Sequence, residues 1–104
     1  MTFNEKKEYL KGYKASLNLL RRLESRERFF ALNEEEKKQR EKAQIQNEKI
    51  REEITLIPDP VFREILFCKY INGATFEALA EDFGYSTRHI QRLHKVAVEN
   101  FEVL

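Results

Sequence analysis

Three glycines and two prolines are all that punctuate the 104 residues, and tryptophan is absent. So few turn formers exclude sandwiches and barrels, which need a tight turn about every ten residues. The single cysteine, Cys68, cannot form an internal disulfide, and a lone thiol predicts a reducing, cytoplasmic setting. No apolar run approaches the roughly 20 residues of a membrane span, so no membrane partner is expected. Met1 to Glu5 lead into lysines and glutamates, which predicts no secretory signal. There are two histidines, His89 and His94, five positions apart. Metal-binding pairs on one helix sit about three or four apart, so no metal is expected. No glycine-rich phosphate loop and no nucleophile paired with a base is present, and Glu77, Glu81 and Asp82 read as a solvated acidic face. The chain therefore predicts no enzyme, no catalytic residue and no cofactor.

What the chain has in quantity is charge, 36% of residues against 41% hydrophobic, with a net balance of only +1. The distribution is uneven: Met1 to Leu32 carries +4, whereas Pro58 to Leu104 carries −2. Tyr9, Leu10, Tyr13, Leu17, Leu20 and Leu23 recur three and four apart, predicting an amphipathic helix over about 4–32 that tolerates Gly12. Asn33-Glu-Glu-Glu is an N-cap with an acid three positions on, so a second helix is expected over 33–57. Its Glu34 to Gln44 half reads as solvated, while Ile45, Ile50, Ile54 and Ile57 restore an apolar edge before Pro58-Asp59-Pro60 ends it. Residues 1–57 are thus expected to form a charged, extended helical arm, and 58–104 a compact domain of three short helices. The fold class is all-α.

The C-terminal segment has the pattern of a helix-turn-helix. Val61 to Asn72 is a first helix, apolar at Phe62, Ile65, Leu66 and Tyr70 and stopped by Asn72-Gly73. Thr75 can cap Phe76 to Phe83, Gly84 suits a left-handed turn, and Ser86 can cap a last helix to about Phe101. Two steeply crossing helices need a small residue at the crossing, Ala80, and a turn residue four positions later, Gly84. Leu79, Phe83 and Tyr85 are expected on the inner face, as are Ile90, Leu93 and Ala97 of the last helix. Cys68 is expected as a small core residue. Ser86 to Lys95 contains three cations and no acid. The residues expected to meet duplex DNA are Ser86, Thr87, Arg88, His89, Gln91, Arg92 and Lys95, whose side chains suit base edges and phosphates. Arg88 and His89 sit in the first turn, where the helix dipole disfavours a cation unless an anion faces it.

The run from Thr75 through Tyr85-Ser-Thr-Arg-His-Ile-Gln-Arg-Leu-His to Val98, preceded by Arg63-Glu64-Ile65-Leu66 and Lys69-Tyr70, resembles the C-terminal promoter-reading region of bacterial sigma factors. It is more similar still to small phage and prophage regulators of the ArpU and RinA type, late transcription activators with a long charged helix and a proline break before this motif. The resemblance covers roughly Ile45 to Phe101. It implies a last helix in the major groove, with Thr87, Arg88, Gln91 and Arg92 reading bases, and RNA polymerase as a further partner. Phe67 departs from the sigma pattern, which is usually charged there, and suggests packing against the arm. The residues themselves leave a DNA-packaging adaptor and a helical protein-interaction module open. The arm's apolar edge needs a partner, and it is expected to contribute to self-association in a homo-oligomer, the alternative being that it packs on its own chain.

Overall fold

The computed structural model describes residues 1–104 and is all-α. Five helices follow in order: α1 (Phe3–Glu27), α2 (Glu34–Thr55), α3 (Pro60–Leu66), α4 (Phe76–Phe83) and α5 (Thr87–Asn100), with a π-helical turn (Phe67–Ile71) continuing α3. No helix is long and apolar enough to cross a membrane.

Local chemistry sets most of the boundaries. α1 opens on a reciprocal cap in which the Thr2 hydroxyl accepts from the Glu5 amide at 3.2 Å and the Glu5 carboxylate accepts from Thr2 at 3.0 Å. Asn33 and Glu36 repeat the device at α2, at 2.8 and 3.1 Å. Asp59 caps α3 by accepting from the Val61 and Phe62 amides, with Pro60 in the first turn where its missing N–H costs nothing.

The first helix stops five residues earlier than its apolar spacing predicts. A helix continued to Leu32 would place that residue about 180° from Leu23, at about 100° per residue. Ending it at Glu27 lets the chain reverse, and both Leu23 and Leu32 are then buried. The reversal is fastened by charge: Arg26 pairs with the nearly buried Glu36, and Arg40 donates to Glu27 at 2.8 Å. Phe29 and Phe30 are left 79% and 68% exposed at its tip.

α1 and α2 form an antiparallel hairpin whose base is built into the rest of the molecule. Leu10, Tyr13, Ile50, Ile54 and Ile57 share one core with Leu66, Tyr70, Ala97, Val98 and Phe101. That core runs across the Ile57–Pro58 boundary expected between arm and domain, because ten buried hydrophobic residues drawn from both segments exclude more water together than either segment could alone. The arm's apolar edge is thus covered by its own chain at the base, and Leu17 and Leu20 remain half-buried further out. A second, smaller core joins Ile65, Leu79, Ala80 and Ile90, with Cys68 packed against it.

The π turn divides the third segment between these two cores. Asn72 donates to the Phe67 carbonyl at 3.2 Å, five residues back, where a regular helix would bond four back. Ile65 lies in the smaller core and Cys68 packs against it, while Leu66 and Tyr70 lie in the larger, which Phe67 packs against as well. The core that Phe67 packs against includes Leu10 and Tyr13 of α1 as well as residues of the C-terminal segment.

Candidate nucleic-acid interface

α4 and α5 are joined by Gly84, Tyr85 and Ser86. Thr75 opens α4 by accepting from the Ala78 amide at 3.1 Å. At its end Gly84 takes φ 71° and ψ 28°, the left-handed region that a β-carbon disfavours. Gly84 then donates to the Glu81 carbonyl at 3.2 Å and Tyr85 to the Ala80 carbonyl at 2.9 Å, a Schellman closure that satisfies the last carbonyls of the helix. Ser86 starts α5 by accepting from the His89 amide at 3.1 Å. Ala80 is buried beside Ile90, so a small side chain stands where α4 meets α5.

The inner face of α5 is Ile90, His94, Ala97 and Val98, continued by Phe101. Leu93 is half-buried against the smaller core. On the outer face Arg88, Gln91, Arg92 and Lys95 are exposed, and Thr87 and His89 are half-buried. Arg92 donates to Nδ1 of His89 at 3.0 Å, which draws its guanidinium toward the start of the helix. None of Arg88, Arg92 and Lys95 is paired with a carboxylate; the ion pairs of the molecule all lie in α1 and α2. Their charge is therefore free to meet an anion without first breaking an internal pair. The seven residues read from the sequence as DNA-facing thus lie on the cap and outer face of one helix.

One residue moves across the expected boundary between inside and outside. Tyr85, expected on the inner face, is 43% exposed. Its ring stacks on Phe83 at 6.0 Å and meets the edge of His89 at 4.7 Å. Gly84 causes this: the left-handed step turns the chain outward before Ser86 restarts the helix. Tyr85 consequently joins the outer surface, with an aromatic face beside the first turn of α5.

His94 belongs to the inner face of α5. It is 5% exposed, and Nε2 lies 2.7 Å from the Tyr70 hydroxyl, with the Phe76 ring edge-on at 5.0 Å. Burial, with smaller contributions from Lys7 and Lys69, lowers its pKa from 6.5 to about 4. Burial, then the charge of Glu8, raises Tyr70 to about 12. Both groups are therefore neutral across the physiological range, a hydrogen-bonded pair that ties α5 to the π turn. Its signature is visible in the spacing of Ile90, His94, Ala97, Val98 and Phe101, one stripe at helical period with a histidine in it. His89 and His94 thus lie on different faces of α5, one at the surface and one inside.

A further feature has no local signature in the sequence. Beside the π turn, Lys11, Lys14 and Arg21 of α1 face Lys69 across a groove of about 560 Å³. The two walls are about fifty to sixty positions apart in the chain, and only the docking of the hairpin base brings them together.

No family model, curated protein or solved structure matches the chain.

Proposed function

We propose that this chain is a DNA-binding protein rather than an enzyme, and that α4 and α5 act as a helix-turn-helix with α5 in the major groove. One observation carries the reading. The outer face of α5 offers Thr87, Arg88, Gln91, Arg92 and Lys95, all without a carboxylate partner, on a helix held from behind by a buried stripe of Ile90, His94, Ala97 and Val98. Arginine and glutamine can make paired hydrogen bonds to guanine and adenine, while lysine suits phosphate. A rigid back and a polar, cationic front are what base reading requires of a helix.

The regulatory form of the reading is a sigma-like transcription regulator of phage or prophage type, working in the cytoplasm, and it follows from the resemblance of Thr75 to Val98. Selection of duplexes from a random pool by the purified protein tests it. Enrichment of one sequence, with affinity falling steeply as salt rises, is the expected result. Recovery of an unenriched pool at low salt would reject base reading by α5.

A partner protein is the second component, favoured by the exposed Phe29 and Phe30 beside Arg26 and Arg28. Two adjacent aromatic rings left in solvent at the far end of a hairpin suit contact with RNA polymerase in a regulator, or with another subunit in a packaging adaptor. Replacing both by serine should leave duplex binding unchanged and remove partner binding. Loss of duplex binding instead would place the tip in the DNA interface.

A further inference from the structure

The groove between α1 and the π turn has walls of one sign. Lys11, Lys14 and Arg21 stand along α1 and Lys69 opposite, with Asn18 and Asn72 between them and no carboxylate in the lining. Lys11 has one acidic neighbour, Glu8, at 3.4 Å and largely in solvent. Lys14, Arg21 and Lys69 have none, and the Lys69 ammonium instead lies 4.3 Å from the centre of the Phe76 ring. Like charges around one concavity repel each other and focus the field within it, and an anion relieves both effects.

The shape selects among anions. From Lys11 to Arg21 the α1 row climbs about 15 Å, at about 1.5 Å per residue. A single phosphate or carboxylate spans a fraction of that length. Consecutive phosphates of one strand rise about 3.4 Å along the duplex axis and lie about 7 Å apart along the strand, so the row spans about three of them. The groove also ends on Asn72, Gly73 and Ala74, the residues that lead directly into the cap of α4. We propose that this groove holds the phosphate backbone of the same duplex whose bases α5 reads, so that the hairpin base acts as a second clamp beside the helix-turn-helix. The inference rests on the DNA-binding reading above.

The test uses the full chain with Lys11, Lys14 and Arg21 all replaced by glutamine; the three positions are exposed, and an unchanged thermal melt confirms that the fold is kept. Binding is measured against salt concentration on duplexes of about 12 and about 30 base pairs, the longer one reaching past a single half-site. On the longer duplex the triple variant should bind about 10- to 100-fold more weakly at low salt, with its log–log salt slope reduced by about 2 to 3, or about 0.9 for each phosphate it no longer neutralises. Its sequence preference should stay that of the parent. The proposal is overturned if affinity and slope are unchanged. It is also overturned if poly-glutamate displaces the duplex as well as inorganic polyphosphate does, which would assign the groove to an acidic protein. The two readings separate through Arg92→Ala: loss of preference there with an intact triple-variant slope rejects the groove alone. An Arg92→Ala variant identical to the parent, beside a reduced triple-variant slope, rejects base reading and keeps the groove. A parent that binds no duplex at all rejects both.

Discussion

Below pH 6.5 the unfolded chain takes up a proton at His94 that the folded chain refuses until about pH 4. A group whose pKa is lowered by folding contributes stability above its unfolded value and loses it as pH falls toward the folded one. For a shift from 6.5 to about 4 the loss between pH 7 and pH 5 is about 2 kcal/mol, approaching 3 kcal/mol by pH 4. The side chain is 5% exposed and its Nε2 is already bound to Tyr70, so solvent does little to soften the cost. Carboxylates titrate in the same window, and the comparison must remove them. Urea unfolding of the parent and of His94→Gln, each at pH 7 and pH 5, does so by difference. The variant should start less stable, having lost the imidazole packing against Phe76, yet it should lose about 2 kcal/mol less than the parent on acidification. Equal losses in parent and variant would show that His94 is not held neutral, and the packing described around it would be wrong.

Three further outcomes follow from the geometry. Tyr9→Phe removes a donor from Glu53, a carboxylate 2% exposed that otherwise keeps only the Leu104 amide at 2.6 Å; the melt should show a loss of about 1–3 kcal/mol, and an unchanged melt would mean that water replaces the hydroxyl. Gly84→Ala should cost about 1–2 kcal/mol through its φ of 71° alone, since a β-carbon there meets no atom within 4 Å, whereas Ala80→Leu should cost about 1–3 kcal/mol by parting α4 from α5; equal tolerance of both by thermal melt and DNA binding would misplace the turn. Arg92→Ala should cost about 1–3 kcal/mol of specific binding and relax one base position, while Lys95→Ala should weaken all sequences alike and lower the salt slope by about one; identical behaviour of both variants over a salt titration would contradict their separate roles.

The features legible in the sequence are those decided within one turn of chain. Asn33, Thr75 and Ser86 can be read as caps because a short polar side chain meets an amide three residues on, whatever else the molecule does. Gly84 can be read as the left-handed residue for the same local reason. The apolar stripes are visible as well, and they settle the all-α class. What they do not give is the partner of each stripe. Whether Leu10 and Tyr13 meet Phe101 of their own chain or another copy depends on contacts about ninety residues apart, which no local pattern encodes. The early end of α1 is likewise a compromise between Leu23 and Leu32 reached only once the hairpin closes. The outer face of α5 is legible as a set of residues, because its period is fixed by its own inner stripe. Tyr85 is not, since one left-handed step reverses which side of the chain it leaves. The cationic groove lies outside the reach of sequence altogether: its two walls belong to different helices.

The shared core also fixes an order of events. Leu10 and Tyr13 are made about ninety residues before Phe101, the side chain that completes their burial. On the ribosome α1 and α2 can form their hairpin as soon as both have emerged, held by Arg26 with Glu36 and by Arg40 with Glu27. The apolar base of that hairpin then stays open to water until α5 arrives. Docking of α5 is the last and least local step, so it should set the folding rate, and mutations at Ala97 or Val98 should slow folding only as far as that docking is formed in the transition state. A protein whose last helix seals its own core in this way cannot finish folding without also finishing the surface that helix presents.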